Sequence, residues 1–510
     1  MICNTVSAPA LRAILVISLL AVNANYALAA SLSTSPASGS PNTKATASGS
    51  GFAAAETVNL VFDTSSAGSA TADSAGSFRQ ALLVPKSAQP GAHTVTATGQ
   101  TSGLSASATF TVRTNWPAFK NSSARIGMNR VENTINSSNA KFVVLSWQGL
   151  MGDLVDFSSP AVVNGVVYVG SFDGSLYAFN ADGCGLATCS PLWSGATGNG
   201  IYSSPAVANG VVYIGSSDHN LYAFKAAGCG TSLCSPLWVG PTGSSILQSS
   251  PLVASGVVYV GAYDGKLYAF PAAGCGQASC APLWTAATGA HITSSPAITN
   301  GVVYVGSNDG KLYAFAAAGC GTSTCSPLWT GPTGAPIYES SPAVSNGVVY
   351  IGSFDKKLYA FNAAGCGQAT CSPIWTGLTG DFIDSSPAVA NGVVYVGSND
   401  LLYAFDANGC GQPTCSHLWL GQADGQQGAI VSAPAVANGL VYVSENNGMV
   451  MIFDAKGCGK SLCLPLTQLL THNEPIVSSS PAVVNGTVYV GSADQLSFPV
   501  GRLYVYKRSR

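Results

Sequence analysis

The segment SSPAVANGVVYIGSSDHNLYAFKAAGCGTSLCSPLW (Ser203 to Trp238) returns with small changes along most of the chain. No other feature narrows the possible folds so far. Aligned on Ser-Ser-Pro (Ser-Ala-Pro in the seventh copy), the prolines are 160, 205, 251, 296, 342, 387, 434 and 481. A steady spacing of 45 to 47 residues is the period of a solenoid or a propeller. Each copy reads as four short strands. PAVA runs through Asn209-Gly210 into VVYIGS, and Asn-Gly is a strong two-residue hairpin signal because both positions take positive φ. The proline opens its strand, where a missing N–H does least harm. A turn at Asp218 leads into LYAF, and a cysteine-bearing loop leads into PLW. Four antiparallel strands per unit, with no helical periodicity, describe a propeller blade.

The cysteines test how such units close. They fall five apart, as Cys184 and Cys189, Cys229 and Cys234, Cys275 and Cys280, Cys320 and Cys325, Cys366 and Cys371, Cys410 and Cys415, and Cys458 and Cys463. Eight copies therefore carry seven pairs. The eighth copy stops after its third strand, RLYVY (Arg502 to Tyr506), while KFVVLSW (Lys141 to Trp147) stands unpaired ahead of the first copy. If that strand completes the eighth unit, the unit has no loop between its third and fourth strands and no place for cysteines. The expected fold is all-β, an eight-bladed propeller closed by strands from both termini. The pairs read most simply as disulfides. Zinc is the alternative, disfavoured because neighbouring pairs lie in different blades and C-x4-C is not the usual zinc spacing. No metal site is expected.

Composition sets the setting. Only 8% of residues are charged and the net charge is −2, which leaves no basic footprint for nucleic acid. AILVISLLAV (Ala13 to Val22) followed by ALAA is too short to span a bilayer and fits a cleaved signal peptide over residues 1–30. The chain is therefore expected to be secreted, periplasmic or displayed at the cell surface, without a membrane span, and monomeric. Residues 31–113 alternate small or polar with apolar residues in TVNLVFD, GSFRQALLVP, GAHTVTATG and SASATFTV, as in a small antiparallel sandwich. STSPASGSPN (Ser33 to Asn42) reads as a flexible tether ahead of it. Residues 114–140 form a lead-in, and residues 141–510 the propeller.

The run NGVVYVGSNDGKLYAF (Asn300 to Phe315), ending at Trp329, resembles the PQQ-like repeat of quinoprotein-type eight-bladed propellers. WPAFKNSSARIGMNRVENTI (Trp116 to Ile135) is similar to the lead-in of that family, and the sandwich resembles bacterial immunoglobulin-like modules. The resemblance implies that the last tryptophan of each blade docks between neighbours. Trp147, Trp193, Trp238, Trp284, Trp329, Trp375 and Trp419 take this role, with Leu466 in the seventh blade. The family's dehydrogenases hold pyrroloquinoline quinone over an adjacent Cys-Cys bridge, with calcium on a set of carboxylates. This sequence has no adjacent cysteines, and its repeated Asp173, Asp264, Asp309 and Asp355 read as turn residues.

Function is sought where the copies disagree. The residue before each Ser-Ser-Pro reads Phe157, Tyr202, Gln248, Thr293, Glu339, Asp384, Val431 and Ser478, between nearly constant neighbours. Phe157, Tyr202, Gln248, Glu339 and Asp384 are the candidate ligand-binding residues at the channel mouth. Asp153, Asp156, Asp381, Asp424 and Glu474 lie in the same loops. Such a mouth suits a cation, a sugar or a peptide. GCGKS (Gly457 to Ser461) is not a phosphate loop, because its first glycine position falls on Asp454. His219, His291, His417 and His472 are scattered, and no nucleophile stands out. The expectation is a non-catalytic binding or scaffold protein for a protein, peptide or glycan, with no cofactor. The alternatives are a quinone dehydrogenase using calcium and pyrroloquinoline quinone, with Glu339 and Asp384 among the metal ligands, and a component of outer-membrane protein assembly.

Overall fold

The computed structural model describes residues 29–422, 428–471, 478–494 and 500–509. The apolar leader, Asp424, His472 and Glu474 lie outside the described residues. Among the described residues one 3-10 turn, Ala140–Phe142, is the only helical element. Everything else regular is strand. Two compact units divide the chain, the first built chiefly from residues 44–83 and 93–110 and the second chiefly from 111–510.

The first unit has two sheets. One orders Ser31–Ser35, Lys44–Ser50 and Phe78–Leu83, and the other includes Thr57–Phe62, Ser65–Thr71, Gly91–Gly99 and Ser105–Val112. Burial alternates along Thr57–Phe62, so Val58, Leu60 and Phe62 point inward together with Val95, Ala97 and Phe110. The expected tether is corrected here. Ser31–Ser35 lies in antiparallel register with Lys44–Ser50, and Ser38–Gly39 pairs parallel with Thr111 and Val112. Serine-rich composition did not keep this segment free, because an edge strand needs only backbone pairing, with hydroxyl contacts such as Ser31 Oγ to Ser50 Oγ (2.8 Å) on its exposed side.

The second unit contains eight sheets among the described residues, one for each copy of the repeat. The fifth is representative: Ala343–Ser345, Val348–Ser353, Lys357–Asn362 and Trp375–Leu378 pair antiparallel in that order. Its first hairpin turns at Asn346-Gly347 with φ of 49° and 78°, the mirror turn the dipeptide favours. The eighth sheet takes Ala482–Val484, Thr487–Asp494 and Val500–Arg508 from the end of the chain, and its fourth strand, Val143–Leu150, from far upstream. Leu145 lies opposite Tyr506 and Trp147 opposite Val505.

Three devices join seven of the eight sheets to the next. The tryptophan of the outermost strand is buried between its own sheet and the following one: Trp375 stands 6.0 Å from Tyr350 and 6.4 Å from Phe405 of the sixth sheet. It lies against Gly409, where a Cβ would come within 2.7 Å of the indole. A buried tyrosine donates its hydroxyl to an alanine carbonyl in the next sheet, as Tyr350 does to Ala407 (2.7 Å). Finally, the cysteine loop of the next sheet covers the outer edge. Thr414 and Cys415 run parallel to Thr376 and Gly377, and the Thr376 N–H donates to the Pro413 carbonyl (2.9 Å). All seven expected disulfides are present.

The seventh sheet departs from this plan. Its outer strand, Thr467–Leu470, pairs so that Thr467 lies opposite Ile452, as Trp375 lies opposite Ala360. The tryptophan position therefore belongs to Thr467, and the expectation that Leu466 fills it is corrected. Leu466 matches the exposed Leu418 of the sheet before.

Candidate functional site

The two serines of each Ser-Ser-Pro have separate structural work. The first accepts, at Oγ, the N–H of the strand that follows, as Ser340 does from Gly352 (2.9 Å). The second links neighbouring innermost strands. Ser159 N–H donates to Ser204 Oγ (2.9 Å), Ser204 to Ser250 (3.0 Å), Ser250 to Ser295 (2.9 Å), Ser295 to Ser341 (2.8 Å) and Ser341 to Ser386 (2.9 Å). Ala433 N–H donates to Ser480 Oγ (2.8 Å), and Ser480 N–H returns to Ser159 Oγ (2.9 Å). The one missing link falls at Ala433, which has no hydroxyl to receive the Ser386 N–H. There Ser385 Oγ donates to the Ser432 carbonyl instead (2.8 Å).

Six of the second serines, Ser204, Ser250, Ser295, Ser341, Ser386 and Ser480, line a narrow cavity of about 30 Å³ together with Phe157, Gln248, Glu339, Asp384, Val431 and Ser478. Six of the eight variable positions thus converge on one space, including four of the five candidate ligand-binding residues. Tyr202 does not line it: its ring packs 4.2 Å from Phe172 and 5.9 Å from Phe157. Thr293 is buried, with its hydroxyl donating to the Tyr338 carbonyl and reaching Asn308 Oδ1.

The acids at this site sit in an unusual environment. Burial raises the Glu339 carboxyl to about 8, with Asp384 and then Asp156 adding repulsion. Burial alone raises Asp156 to about 7 and Asp384 to about 6. Asp156 Oδ1 and Gln248 Oε1 are buried without a hydrogen-bond partner among the described residues. The other loop acids among the described residues are structural. Asp381 pairs with Lys356 (3.3 Å), and Asp153 Oδ1 accepts the Leu154 N–H (2.7 Å). The repeated aspartates close their turns and also accept a tyrosine hydroxyl: Asp309 receives the Lys311 N–H at 3.1 Å and the Tyr313 hydroxyl at 2.5 Å. His291 stacks on Tyr263 (3.8 Å) and His417 meets the edge of Tyr403 (5.7 Å), so neither approaches the cavity lining.

The floor of the cavity comes from residues to which sequence reasoning gave no role. Phe119 lines it, and Arg125 lies over that ring at 5.4 Å. Arg125 is fully buried and donates to the carbonyls of Ser250 (2.8 Å), Pro251 (3.0 Å), Pro296 (2.6 Å) and Phe119 (2.7 Å). The lead-in visits the innermost strands in turn. Trp116 exchanges both backbone bonds with Val162, Pro117 accepts from Val207, Ser123 from Ile298, Ala124 from Val344, Ile126 from Val389 and Gly127 from Val436. Asn129 Nδ2 then donates to Val483 of the eighth sheet (3.0 Å). The available signal was the three basic side chains of Trp116 to Ile135, Lys120, Arg125 and Arg130, in a chain with only 20 lysines and arginines.

The family model described as outer membrane protein assembly factor BamB matches residues 146–275 and 272–509, more than half of the chain. The chain belongs to this family. A macroglobulin-like domain model matches residues 27–112, which agrees with the sandwich. Among solved structures, BamB from Moraxella catarrhalis is 19% identical, with a TM-score of 0.53 over 72% of this chain and 97% of that one. Quinohemoprotein alcohol dehydrogenase from Comamonas testosteroni is 13% identical, with a TM-score of 0.59 over 78% of this chain and 81% of that one. These likenesses establish the BamB-type repeat propeller fold and nothing of activity, since one fold hosts many functions. No curated protein matches the sequence.

Proposed function

We propose that this BamB-family chain is an exported, non-catalytic binding protein. In this reading its eight sheets are the blades of one closed propeller, and its channel mouth takes a cationic group presented by a partner polypeptide. Closure is supported by the Ser480-to-Ser159 bond and by the lead-in, which is bonded to seven of the innermost strands and, through Arg125, to Ser250 and Pro251 just before the third. Export is supported by seven disulfides. The observation that carries the binding role is that Glu339 and Asp384 line one cavity with Phe119, where burial first, and then repulsion from Asp384 and Asp156, disfavours ionisation of Glu339. A cation relieves both the repulsion and the desolvation.

The residues present do not fit the quinone and calcium of the family's dehydrogenases. A cavity of about 30 Å³ holds a group the size of one or two waters, not a tricyclic quinone. Each disulfide joins cysteines five apart. No three His, Cys, Asp or Glu side chains among the described residues are grouped to hold a metal ion. Membership of the BamB family favours a second reading, a part in outer-membrane protein assembly, which is also a binding role.

The test is calorimetric titration of the full chain with a capped Gly-Lys-Gly peptide. Lysine stays charged throughout, whereas the three acids ionise between about 6 and 8. Affinity is expected to rise roughly tenfold or more between pH 5.5 and 8.5, and Glu339→Gln should flatten that rise. Binding that ignores both pH and the substitution defeats the reading. Stability moves the other way: the folded chain holds protons that the unfolded chain releases from about pH 4 upward, so ionisation at the mouth costs stability as pH rises. Glu339→Gln should therefore stabilise at pH 8.5 by on the order of 1–3 kcal/mol and change little at pH 4. Stable uptake of quinone absorbance on adding calcium and pyrroloquinoline quinone would overturn the non-catalytic assignment.

A further inference from the structure

We infer that the outer edge of the seventh sheet, Thr467–Leu470, is a docking site for an extended, uncharged segment of a partner polypeptide, which adds to it as a parallel strand. This rests on geometry remote from the channel. The other seven outer strands all carry an extended segment of the same chain on that edge. Thr188 and Cys189 lie on Gln148 and Gly149, Leu233 and Cys234 on Ser194 and Gly195, Thr324 and Cys325 on Thr285 and Ala286. Thr414 and Cys415 cover Thr376 and Gly377, and Leu462 and Cys463 cover Leu420 and Gly421. The remaining two edges are covered by bridges from Ser279 and Thr370.

Each cover comes from the cysteine loop of the following sheet. The eighth sheet has no such loop, because its fourth strand, Val143–Leu150, precedes its third strand in the chain by hundreds of residues. Among the described residues no strand covers the outer edge of Thr467–Leu470, which ends its sheet, although the Tyr506 hydroxyl donates to the Leu470 carbonyl (3.0 Å). The edge opens on a groove of about 550 Å³ lined by Val144, Leu145, Gln468, Leu469, Leu470 and Tyr506. Val144 and Leu470 are 50% and 58% exposed. Gln468 Nε2 is buried with no hydrogen-bond partner among the described residues.

The seven internal occupants define the partner's chemistry. In every one, an uncharged outward residue (Thr, Leu or Ser) precedes a small buried one, the second cysteine. The groove lining carries no charged side chain. Opposite Leu469, which stands where most other sheets have glycine, the inward residue must be small. Main-chain bonds to the open edge supply affinity, and that small inward residue supplies selectivity.

The experiment uses the full chain and, as a surrogate strand, a disulfide-closed peptide of residues 409–416 (GCGQPTCS), whose own copy covers Thr376 and Gly377. In the free protein the Gln468 amide is expected to exchange hydrogen at least about tenfold faster than the Thr376 amide. Peptide binding should slow it by a similar factor. A Val144→Lys/Leu470→Lys double variant, altered only at half-exposed positions, should weaken peptide binding about tenfold or more. Glu339→Gln should leave it unchanged, which separates this site from the channel. Three results overturn the proposal: equal protection of Gln468 and Thr376 in the free monomer, peptide binding that leaves Gln468 exchange unaltered, and a concentration-dependent dimer that protects the edge.

Discussion

Seven junctions between sheets are built to one pattern, and the junction between the seventh and eighth is not. At the junction of the fifth and sixth sheets, Trp375 fills the gap, Tyr350 donates to Ala407, and Thr414–Cys415 covers the edge. At the junction of the seventh and eighth, Thr467 replaces the indole, the Tyr442 hydroxyl is buried without a partner, and the edge is open. One cause accounts for all three losses. The glycine that receives the tryptophan, the alanine carbonyl that receives the tyrosine, and the cysteine segment that pairs the edge all belong to the loop between third and fourth strands. Splitting the eighth sheet between distant parts of the chain removes that loop. The inner side keeps its links, since Ala433 still donates to Ser480 and Asn129 to Val483. The seam is therefore weakened only toward the rim.

The two junctions differ most at the tryptophan position. Trp375→Ala deletes a buried indole held between two aromatic rings and should cost about 3–5 kcal/mol. Thr467→Ala at the equivalent position should cost less than about 1 kcal/mol, because its partly exposed side chain fills no such slot. Urea unfolding of the two variants against the parent checks both. Equal losses would mean that the seventh junction is packed as tightly as the others.

Much of this contrast was legible in the chain, and the limits are instructive. Seven cysteine pairs against eight Ser-Ser-Pro copies pointed to Lys141–Trp147 completing the last sheet, where the strand runs Val143–Leu150, because period and count survive any drift in side chains. The identity of the residue at the seventh tryptophan position did not survive. In CLPLTQLL the marker residue is gone, and only the register of Ile452 against Thr467 settles it. The mouth was legible as a ring of variable positions, yet Tyr202 does not line the cavity and packs instead in a tilted contact against Phe172 of the preceding sheet. The course of the lead-in was invisible for a different reason. Most of its bonds run through backbone carbonyls to strands up to several hundred residues away, and backbone pairing leaves no residue-type signature. Arg125 was the exception, a charge placed where only carbonyls receive it.

A smaller effect should come from the cross-links. Replacing Cys410 and Cys415 together by serine removes a short closed loop, which in the chain-entropy model contributes about 2 kcal/mol. It also loosens the segment that covers Thr376 and Gly377. The sharper readout is therefore local: the Thr376 amide should approach the exchange rate of Gln468 while strands of the other sheets keep theirs. If Thr376 stays protected, the covering strand holds without its disulfide, and the bridge acts only on the unfolded chain.

The smallest effect gives the cleanest sign. Tyr350→Phe removes a hydroxyl that donates to a carbonyl and should cost about 1 kcal/mol, with the Ala407 acceptor left short of a partner. Tyr442→Phe removes a hydroxyl that is buried with nothing to receive it, so the desolvation it suffers on folding is relieved and no bond is lost. Burial and the nearby Glu132 both hold this phenol far above its ordinary pKa, so it enters the fold neutral at any working pH. The substitution should be neutral or stabilising by up to about 1 kcal/mol, opposite in sign to its counterpart two sheets away. Loss of stability at Tyr442 comparable to that at Tyr350 would reveal an acceptor at the seam, and the seventh junction would then share one of the three devices of the other seven.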